Sequence, residues 1–461
     1  MRLLQLVARN HRSFRDELFL DLTRPTFRTN LPSSGKSWSD CIYPVAATFG
    51  ANASGKSNVL SAIQYITSAL YGSSASWLKH SEMPRDPFKL DSSINGPSLY
   101  SIDFLLSGRE VRNADFAGER RFHYEFTVSP SGIEHELLQT YLSTRPSTIF
   151  ERTADTTRVK LSKQHGGSFD VSVRELALSR ARVIHHPYLA PLTNAILAGC
   201  DSFDVGDGER RSRIARLTRE IVEGKVSPET LVRLAQAADI GITGAFVDEE
   251  ELPPELIQFL NYLQSAQEKD SNNATDTETH SSRENHDPSQ HHTLLGHSLR
   301  FHHGGGNKDK DRAFTLGDES DGTITWLALA IPVLRALQRG SLLCVDELDT
   351  SLHPYLAAAI VHLFQDPNSN LRGAQLIFTT HDASLLGPQA TLQLERQQIW
   401  LTEKRLDGTS ELYSLADFSD IKARSNIAKQ FLEGRYGGIP RLAMSALTAL
   451  VHQGIDDNIV E

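Results

Sequence analysis

The chain has 461 residues, 39% of them hydrophobic and 23% charged, with a formal net charge of −10. That is enough chain for one large or two ordinary domains, and the negative balance gives no global reason to expect nucleic-acid binding. The three cysteines, Cys41, Cys200 and Cys344, lack CxxC spacing, no apolar run reaches the ~20 residues of a membrane span, and the start MRLLQLVARNHRSF turns polar too early for a signal peptide, so a cytoplasmic location is expected.

The start LLQLVARN reads as a strand, a turn at HRSF follows, and ELFLDL reads as a second strand. PVAATFG, residues Pro44 to Gly50, is a short apolar strand. It leads through ANASGKS into a segment whose Val59, Ile63, Ile66 and Leu70 recur at helical spacing. From about Ser98 to Phe150 the alternation is that of antiparallel strands with a turn at Pro130-Ser131-Gly132. From about Val171 to Gln267 short helical patterns dominate, including PELIQFLNYLQSA. Residues Glu268 to Thr293 are polar and nearly free of aliphatics, a composition that cannot offset its ordering entropy and reads as a solvated linker rather than as a histidine metal site. After Leu299 the α/β alternation returns in SLRFHH, in ESDGTITWLALAIPVLRALQ, whose Pro332 is expected to kink a helix, and in SLLCVDE and QLIFTTHD. These readings divide the chain into an N-terminal lobe at 1–165, a helical insertion at 166–297 with its linker at about 268–293, and a C-terminal lobe at 298–461.

Gly50-Ala51-Asn52-Ala53-Ser54-Gly55-Lys56-Ser57 fits the pattern GxxxxGK followed by Ser or Thr, between a strand and a helix. The glycines allow backbone N–H groups to face phosphate oxygens at a helix N-terminus. Lys56 is placed to reach the β- and γ-phosphates, and Ser57 to ligate Mg²⁺. Gly50, Asn52, Ala53, Ser54, Gly55, Lys56, Ser57 and the adjoining Asn58 are the candidate nucleotide contacts. SLLCVDE is a buried strand with two acids at its end, where ligands sit in a parallel sheet. Asp346 is expected to hold Mg²⁺ and Glu347 to polarise the attacking water. His381, at the end of QLIFTTHD, is placed to sense the γ-phosphate.

The order of phosphate loop, ESDGT, VDE, DTSLHP and TTHD resembles an ABC-type ATPase head of the RecF, SMC and OLD-like group. That resemblance covers about residues 1–150 and 298–440. It implies an α/β ABC-type P-loop ATPase head, a mixed sheet plus an antiparallel β lobe, here carrying a helical insertion. ESDGT stands where the family has its signature, with Ser320 and Gly322 matching its Ser and second Gly. DTSLHP matches the D-loop, and His381 matches the switch histidine. NHRSF resembles the group's NFRSF turn, with His11 where Phe is usual. ESDGT, QIWLTEK, SELYSLADF and FLEGRYGGIP further resemble the compact ATPases of prokaryotic antiviral and abortive-infection systems, among them AriA of PARIS, PtuA of Septu and AbiL-type proteins.

The resemblance implies ATP and Mg²⁺ as cofactors and ATP hydrolysis as activity. It also implies a head-to-tail homodimer or larger homo-oligomer in which Ser320 and Gly322 face the partner copy's nucleotide. A separate effector, such as a nuclease or toxin, and a viral protein or DNA trigger are the expected partners, with no membrane involvement. The competing reading is a RecF-like DNA-repair ATPase. A candidate DNA or partner face is the row Arg210, Arg211, Arg213, Arg216 and Arg219, which reads more simply as the solvated side of an amphipathic helix. Gln139 is a candidate for the Q-loop glutamine.

Overall fold

The computed structural model describes residues 1–111, 118–204, 210–251, 295–304, 312–387, 394–419, 421, 425–439, 443–445 and 448. The expected linker at 268–293 and the expected helix PELIQFLNYLQSA lie outside them. By contact the chain forms two compact units, Met1–Gly206 with Ile331–Glu461, and Asp207–Ala330.

The first unit holds two six-stranded sheets. One is antiparallel and consists of β1 (Arg2–His11), β2 (Phe14–Asp21), β4 (Ser98–Ser107), β5 (Glu119–Val128), β6 (Ile133–Tyr141) and β7 (Pro146–Thr153), in the order β2-β1-β4-β5-β6-β7. Its strands alternate as the sequence does: on β5, Phe122, Tyr124, Phe126 and Val128 are buried while their neighbours are more exposed. A small hairpin, β8 (Arg158–Lys160) with β9 (Ser168–Asp170), follows. The other large sheet is mixed and contains β3 (Val45–Gly50), β10 (Cys200–Asp204), β14 (Leu342–Asp346), β15 (Gln375–Thr380), β16 (Ile399–Lys404) and β17 (Ser410–Ser414). Its order is β10-β14-β15-β3-β16-β17, parallel throughout except for the antiparallel pair β16–β17. All six residues of β3 and of β15 are buried, which accounts for their apolar or small-residue character, broken only by Gln375, whose amide is bonded to the Leu3 and Tyr43 backbone.

Among the helices are α1 (Lys56–Gly72), the short α2 (Gly108–Val111), α3 (Ala177–Val183) and α4 (Leu189–Ala198). Val59, Ile63, Ile66 and Leu70 of α1 all enter one hydrophobic core with Phe104, Phe122 and Phe126 of the antiparallel sheet and Leu342 and Ile377 of the mixed sheet. Within it the buried Glu136 carboxylate is fully engaged. It accepts from Arg152 Nε, Tyr124 Oη and the Ala177 backbone, each at 2.8 Å, and so anchors the start of α3 to β6 and β7.

The turn between β1 and β2 explains the unusual histidine. Asn10 and Arg12 adopt left-handed backbone, with φ of 53° and 50°. The Asn10 amide donates to Ser93 O at 2.7 Å, and its carbonyl accepts from the Phe88 backbone at 2.9 Å. His11 points inward and is fully buried. Ser61 Oγ donates to Asn58 O at 2.9 Å, so it accepts from His11 Nε2 at 2.7 Å, and Nδ1 is left to accept from Tyr100 Oη at 2.9 Å. Burial pulls its pKa from 6.5 to about 4, so His11 is a neutral core residue in the position of a phenylalanine.

The second unit contains α5 (Arg210–Val222), α6 (Pro228–Ala237) and a three-stranded antiparallel sheet of β11 (Ile242–Glu251), β12 (Leu295–His303) and β13 (Phe314–Thr315). Helix α7 (Asp321–Arg339) begins in this unit and contains Pro332. Trp326 Nε1 donates to Leu234 O at 2.8 Å, tying α7 to α6. Helices α8 (Pro354–Gln365) and α9 (Ile427–Leu432) return to the first unit. Two strands interrupt the stretch expected to be helical, β10 and β11. CDSFD is too short and polar, and ITGAFVDEEE too acidic at its end, to announce strands by periodicity.

Candidate functional site

The phosphate loop leaves the end of β3 and enters α1 at Lys56. Gly55 has φ of 111°, open to glycine at little cost, and Ala53 is also left-handed at 61°. A side chain at Gly50 would lie 2.3 Å from Thr402 Oγ1. Lys56 is buried and donates to the carbonyls of Gly50 and Ala51, both at 2.9 Å. Burial lowers its pKa from 10.5 to about 8, while the carboxylates of Glu347, Asp346 and Asp349 act in the opposite sense. The lysine and the strand-end acids therefore share one electrostatic site, as the sheet order β14-β15-β3 requires. Asn52, Ala53 and Ser57 are exposed at the loop's open side. Asn58, expected among the nucleotide contacts, directs its amide to Ser13 Oγ at 2.7 Å.

At the end of β14, Asp346 Oδ1 accepts from Thr379 Oγ1 at 2.5 Å, and the same hydroxyl accepts from the Glu347 backbone at 2.7 Å. Glu347 has φ of 53°, a conformation disfavoured for a side-chain-bearing residue. It is held there by that bond and by Leu348 N donating to Thr379 O at 3.0 Å. Thr350 Oγ1 donates to Glu347 Oε2 at 3.2 Å, and His381 Nε2 lies 3.6 Å from Glu347 Oε1. The His381 backbone N–H points at both Asp349 carboxylate oxygens at 3.3 Å. Asp346, Glu347, Asp349 and His381 are thus brought together. Thr379 was not singled out in the sequence, where it lies inside an apolar strand.

The hairpin β16–β17 supplies further contacts not read from the sequence. Ser54 Oγ and Thr402 Oγ1 are 2.6 Å apart, and Ser410 Oγ lies 2.6 Å from Ser54 O and 2.8 Å from Ser13 Oγ. The glycine turn of FLEGRYGGIP also arrives here. Phe431 packs edge-on against Phe49 at 6.0 Å, and a side chain at Gly438 would meet Gly50 Cα at 3.6 Å.

In the second unit, Ser320 caps α7: its Oγ accepts from Thr323 N at 3.1 Å, and Ile324 N donates to Ser320 O at 3.1 Å. Gly322 lies in the first turn of this helix. Glu319 is buried, and His303 Nε2 approaches its carboxylate at 2.7 Å. Along α5, Arg213 is buried, which corrects the reading of an all-solvated arginine row. The side chains of Arg210 and Arg211 lie outside the described residues. Gln139 Nε2 donates across the β6–β7 pair to Thr148 Oγ1 at 3.2 Å.

These groups fit a nucleotide with a magnesium ion. A helix N-terminus and a buried lysine suit phosphate, and the Ser57 hydroxyl with the Asp346 carboxylate is the sparse protein donor set that Mg²⁺ uses alongside phosphate and water. Among the described residues, no cluster of three or more His, Cys, Asp or Glu could hold a metal by itself. No helix among them is long and apolar enough to cross a membrane.

A family model described as "AAA domain, putative AbiEii toxin, Type IV TA system" matches residues 46–387. No curated protein matches the chain. Similar solved structures include an SMC head bound to the C-winged helix domain of ScpA, at 14% identity over 90% of this chain and 98% of that one, with a TM-score of 0.41. The SMC head domain from Thermotoga maritima is also 14% identical, over 90% and 99%, with a TM-score of 0.36. An Smc head with an extended coiled coil, bound to the C-terminal domain of ScpA derived from Pyrococcus furiosus, gives 14% over 94% and 99%, with a TM-score of 0.37.

Proposed function

Because the chain belongs to the AAA domain family described as "putative AbiEii toxin, Type IV TA system", we propose that it is an ATP-binding and ATP-hydrolysing ABC-type ATPase serving prokaryotic antiviral defence. In this reading it is the sensor or scaffold subunit of an abortive-infection system of the kind that contains AriA, PtuA or AbiL-type ATPases. It controls a separate effector, a nuclease or toxin, in the cytoplasm and without a membrane partner, and a viral protein or DNA is its trigger.

The observation that carries the ATPase reading is the pairing of Asp346 and Glu347 through one Thr379 hydroxyl, within the electrostatic reach of Lys56. Bound MgATP supplies the scissile phosphoanhydride and the metal that neutralises its charge. Ser57 and Asp346 would hold the metal. Lys56 turns from the Gly50 and Ala51 carbonyls toward the phosphates. Glu347 accepts a proton from the attacking water, and His381 beside it registers the γ-phosphate. Ser320 and Gly322, at a helix N-terminus, would meet the nucleotide of a second copy, so that ATP joins two heads.

The test is ATP hydrolysis by the purified protein, followed by co-purification with the product of the adjacent open reading frame. Turnover that needs Lys56 and Glu347, and an effector released on phage infection, are expected. Absence of ATP binding overturns the enzyme reading, and an intact ATPase with no effector partner overturns the defence reading.

A further inference from the structure

We propose that Ser410, on the C-terminal hairpin, is a positioning residue that fixes which way the Gly55 amide of the phosphate loop points. The inference rests on the nucleotide reading of that loop and names a residue that the loop motif does not contain.

Four groups form a line. Asn58 Nδ2 is 2.7 Å from Ser13 Oγ, Ser13 Oγ is 2.8 Å from Ser410 Oγ, and Ser410 Oγ is 2.6 Å from Ser54 O. Each hydroxyl has one proton to donate, an amide nitrogen only donates and a carbonyl oxygen only accepts. Asn58 donates to Ser13 Oγ, and the Ser410 hydroxyl is oriented as a donor toward both Ser13 Oγ and the Ser54 carbonyl. With one proton to give, it serves the carbonyl, which is the nearer acceptor at 2.6 Å and accepts only. The Ser410 backbone N–H also donates to Ser13 O at 2.7 Å, which fixes the hairpin against the β1–β2 turn.

The chain has no cis peptide bond among its described residues, so the C=O of Ser54 and the N–H of Gly55 point in opposite directions. Pinning the carbonyl on the hairpin side turns the Gly55 N–H away from the hairpin, as a donor for phosphate ahead of α1. The reversed peptide would present a carbonyl oxygen to the same anion. Gly55 has φ of 111°, and a side chain there would lie 2.7 Å from Ser410 Oγ, so the second glycine of the motif is shaped around this serine. Thr402, on β16, adds a second restraint. Its hydroxyl lies 3.3 Å from Phe49 O and 2.6 Å from Ser54 Oγ, so Ser54 is held at both its carbonyl and its side chain. Ser54, Thr402 and Ser410 are all buried, which keeps water from substituting for these bonds.

The experiment compares wild type, Ser410→Ala and Ser13→Ala in the full chain. It uses a fluorescent ATP analogue for affinity, steady-state turnover for the split of KM from kcat, and thermal melting without nucleotide. Ser410→Ala is expected to weaken ATP binding about tenfold and raise KM in step. Its kcat at saturation and its nucleotide-free melting temperature should stay near wild type. Ser13→Ala leaves the Ser410–Ser54 bond in place and should change affinity less than about threefold. ATP affinity unchanged in Ser410→Ala overturns the inference, as does an equal loss in both variants. Should Ser410→Ala fail to fold, the wild-type protein decides: the Gly55 amide resonance must shift on addition of MgATP, and an unmoved resonance refutes its role. Wild type that binds no ATP at all refutes the nucleotide reading itself, a result distinct from any difference among the variants.

Discussion

Thr379 donates its hydroxyl proton to Asp346 and accepts the backbone N–H of Glu347, at 2.5 and 2.7 Å. One side chain thus sets the direction of both strand-end acids and supports the left-handed backbone that Glu347 adopts. Thr379→Val keeps the shape and removes both bonds, leaving the Glu347 N–H without its partner. ATP turnover is expected to fall about tenfold or more, with ATP affinity nearly retained. Steady-state hydrolysis beside equilibrium binding checks this, and unchanged turnover would sink the role given to Thr379.

Removing the Glu347 carboxylate separates binding from chemistry. Glu347→Gln is isosteric, keeps the accepting carbonyl and cannot take a proton from water. It is expected to bind ATP, to hydrolyse it on the order of a hundredfold more slowly, and to accumulate the joined dimer with ATP. Light scattering after size-exclusion chromatography reads that mass directly. Lys56→Ala should bind ATP too weakly to measure and should stay in its nucleotide-free state under the same conditions.

Lys56 also predicts a proton signature. Its pKa of about 8 reflects burial in the nucleotide-free loop, and an arriving phosphate favours the charged form. Binding at about pH 9 should therefore take up close to one proton, and binding at about pH 7 almost none. Affinity should decline as pH rises past about 8. Calorimetry in buffers of different ionisation enthalpy measures the uptake. Uptake that is flat across this range would place the lysine elsewhere.

The buried His11 makes the fold acid-sensitive. Its pKa is about 4 when folded and returns toward 6.5 when unfolded, so the unfolded chain binds more protons between those values. Stability from this group is complete above about pH 6.5 and is lost as pH falls toward 4. The loss is about 2 kcal/mol between about pH 7 and pH 5. His11→Phe should flatten that part of the curve, measured as urea midpoints, although Tyr100 and Ser61 each lose a partner. A slope unchanged by the substitution would show that another group is responsible.

What could be read from the sequence depended on distance along the chain. The phosphate loop lies within one short stretch in which Gly50, Gly55, Lys56 and Ser57 are the types that phosphate chemistry demands, and Asp346 and Glu347 end a strand apolar enough to be recognised as buried. Thr379 carried no signal because a threonine inside a buried strand reads as sheet propensity. Ser13, Thr402 and Ser410 are ordinary residues until the fold carries the hairpin to the loop. β10 was missed because an edge strand of five residues with two aspartates shows neither apolar continuity nor strict alternation. His11 was legible as a departure from a pattern, but its neutral state became visible only with Ser61 and Tyr100 around it.

The hairpin that completes the phosphate loop is synthesised long after the loop itself. Ser410 is 356 residues beyond Ser54, so at ~5–20 residues per second a ribosome needs roughly 20–70 s to deliver it after the loop has been made. Throughout that interval the nascent chain carries the entire motif without the clamp that orients it. A prematurely terminated product ending before β16 would keep α7, Asp346 and Glu347 yet lack Thr402 and Ser410 beside the loop. Competence for nucleotide is thereby tied to translation of β16 and β17, long after the loop itself has been made.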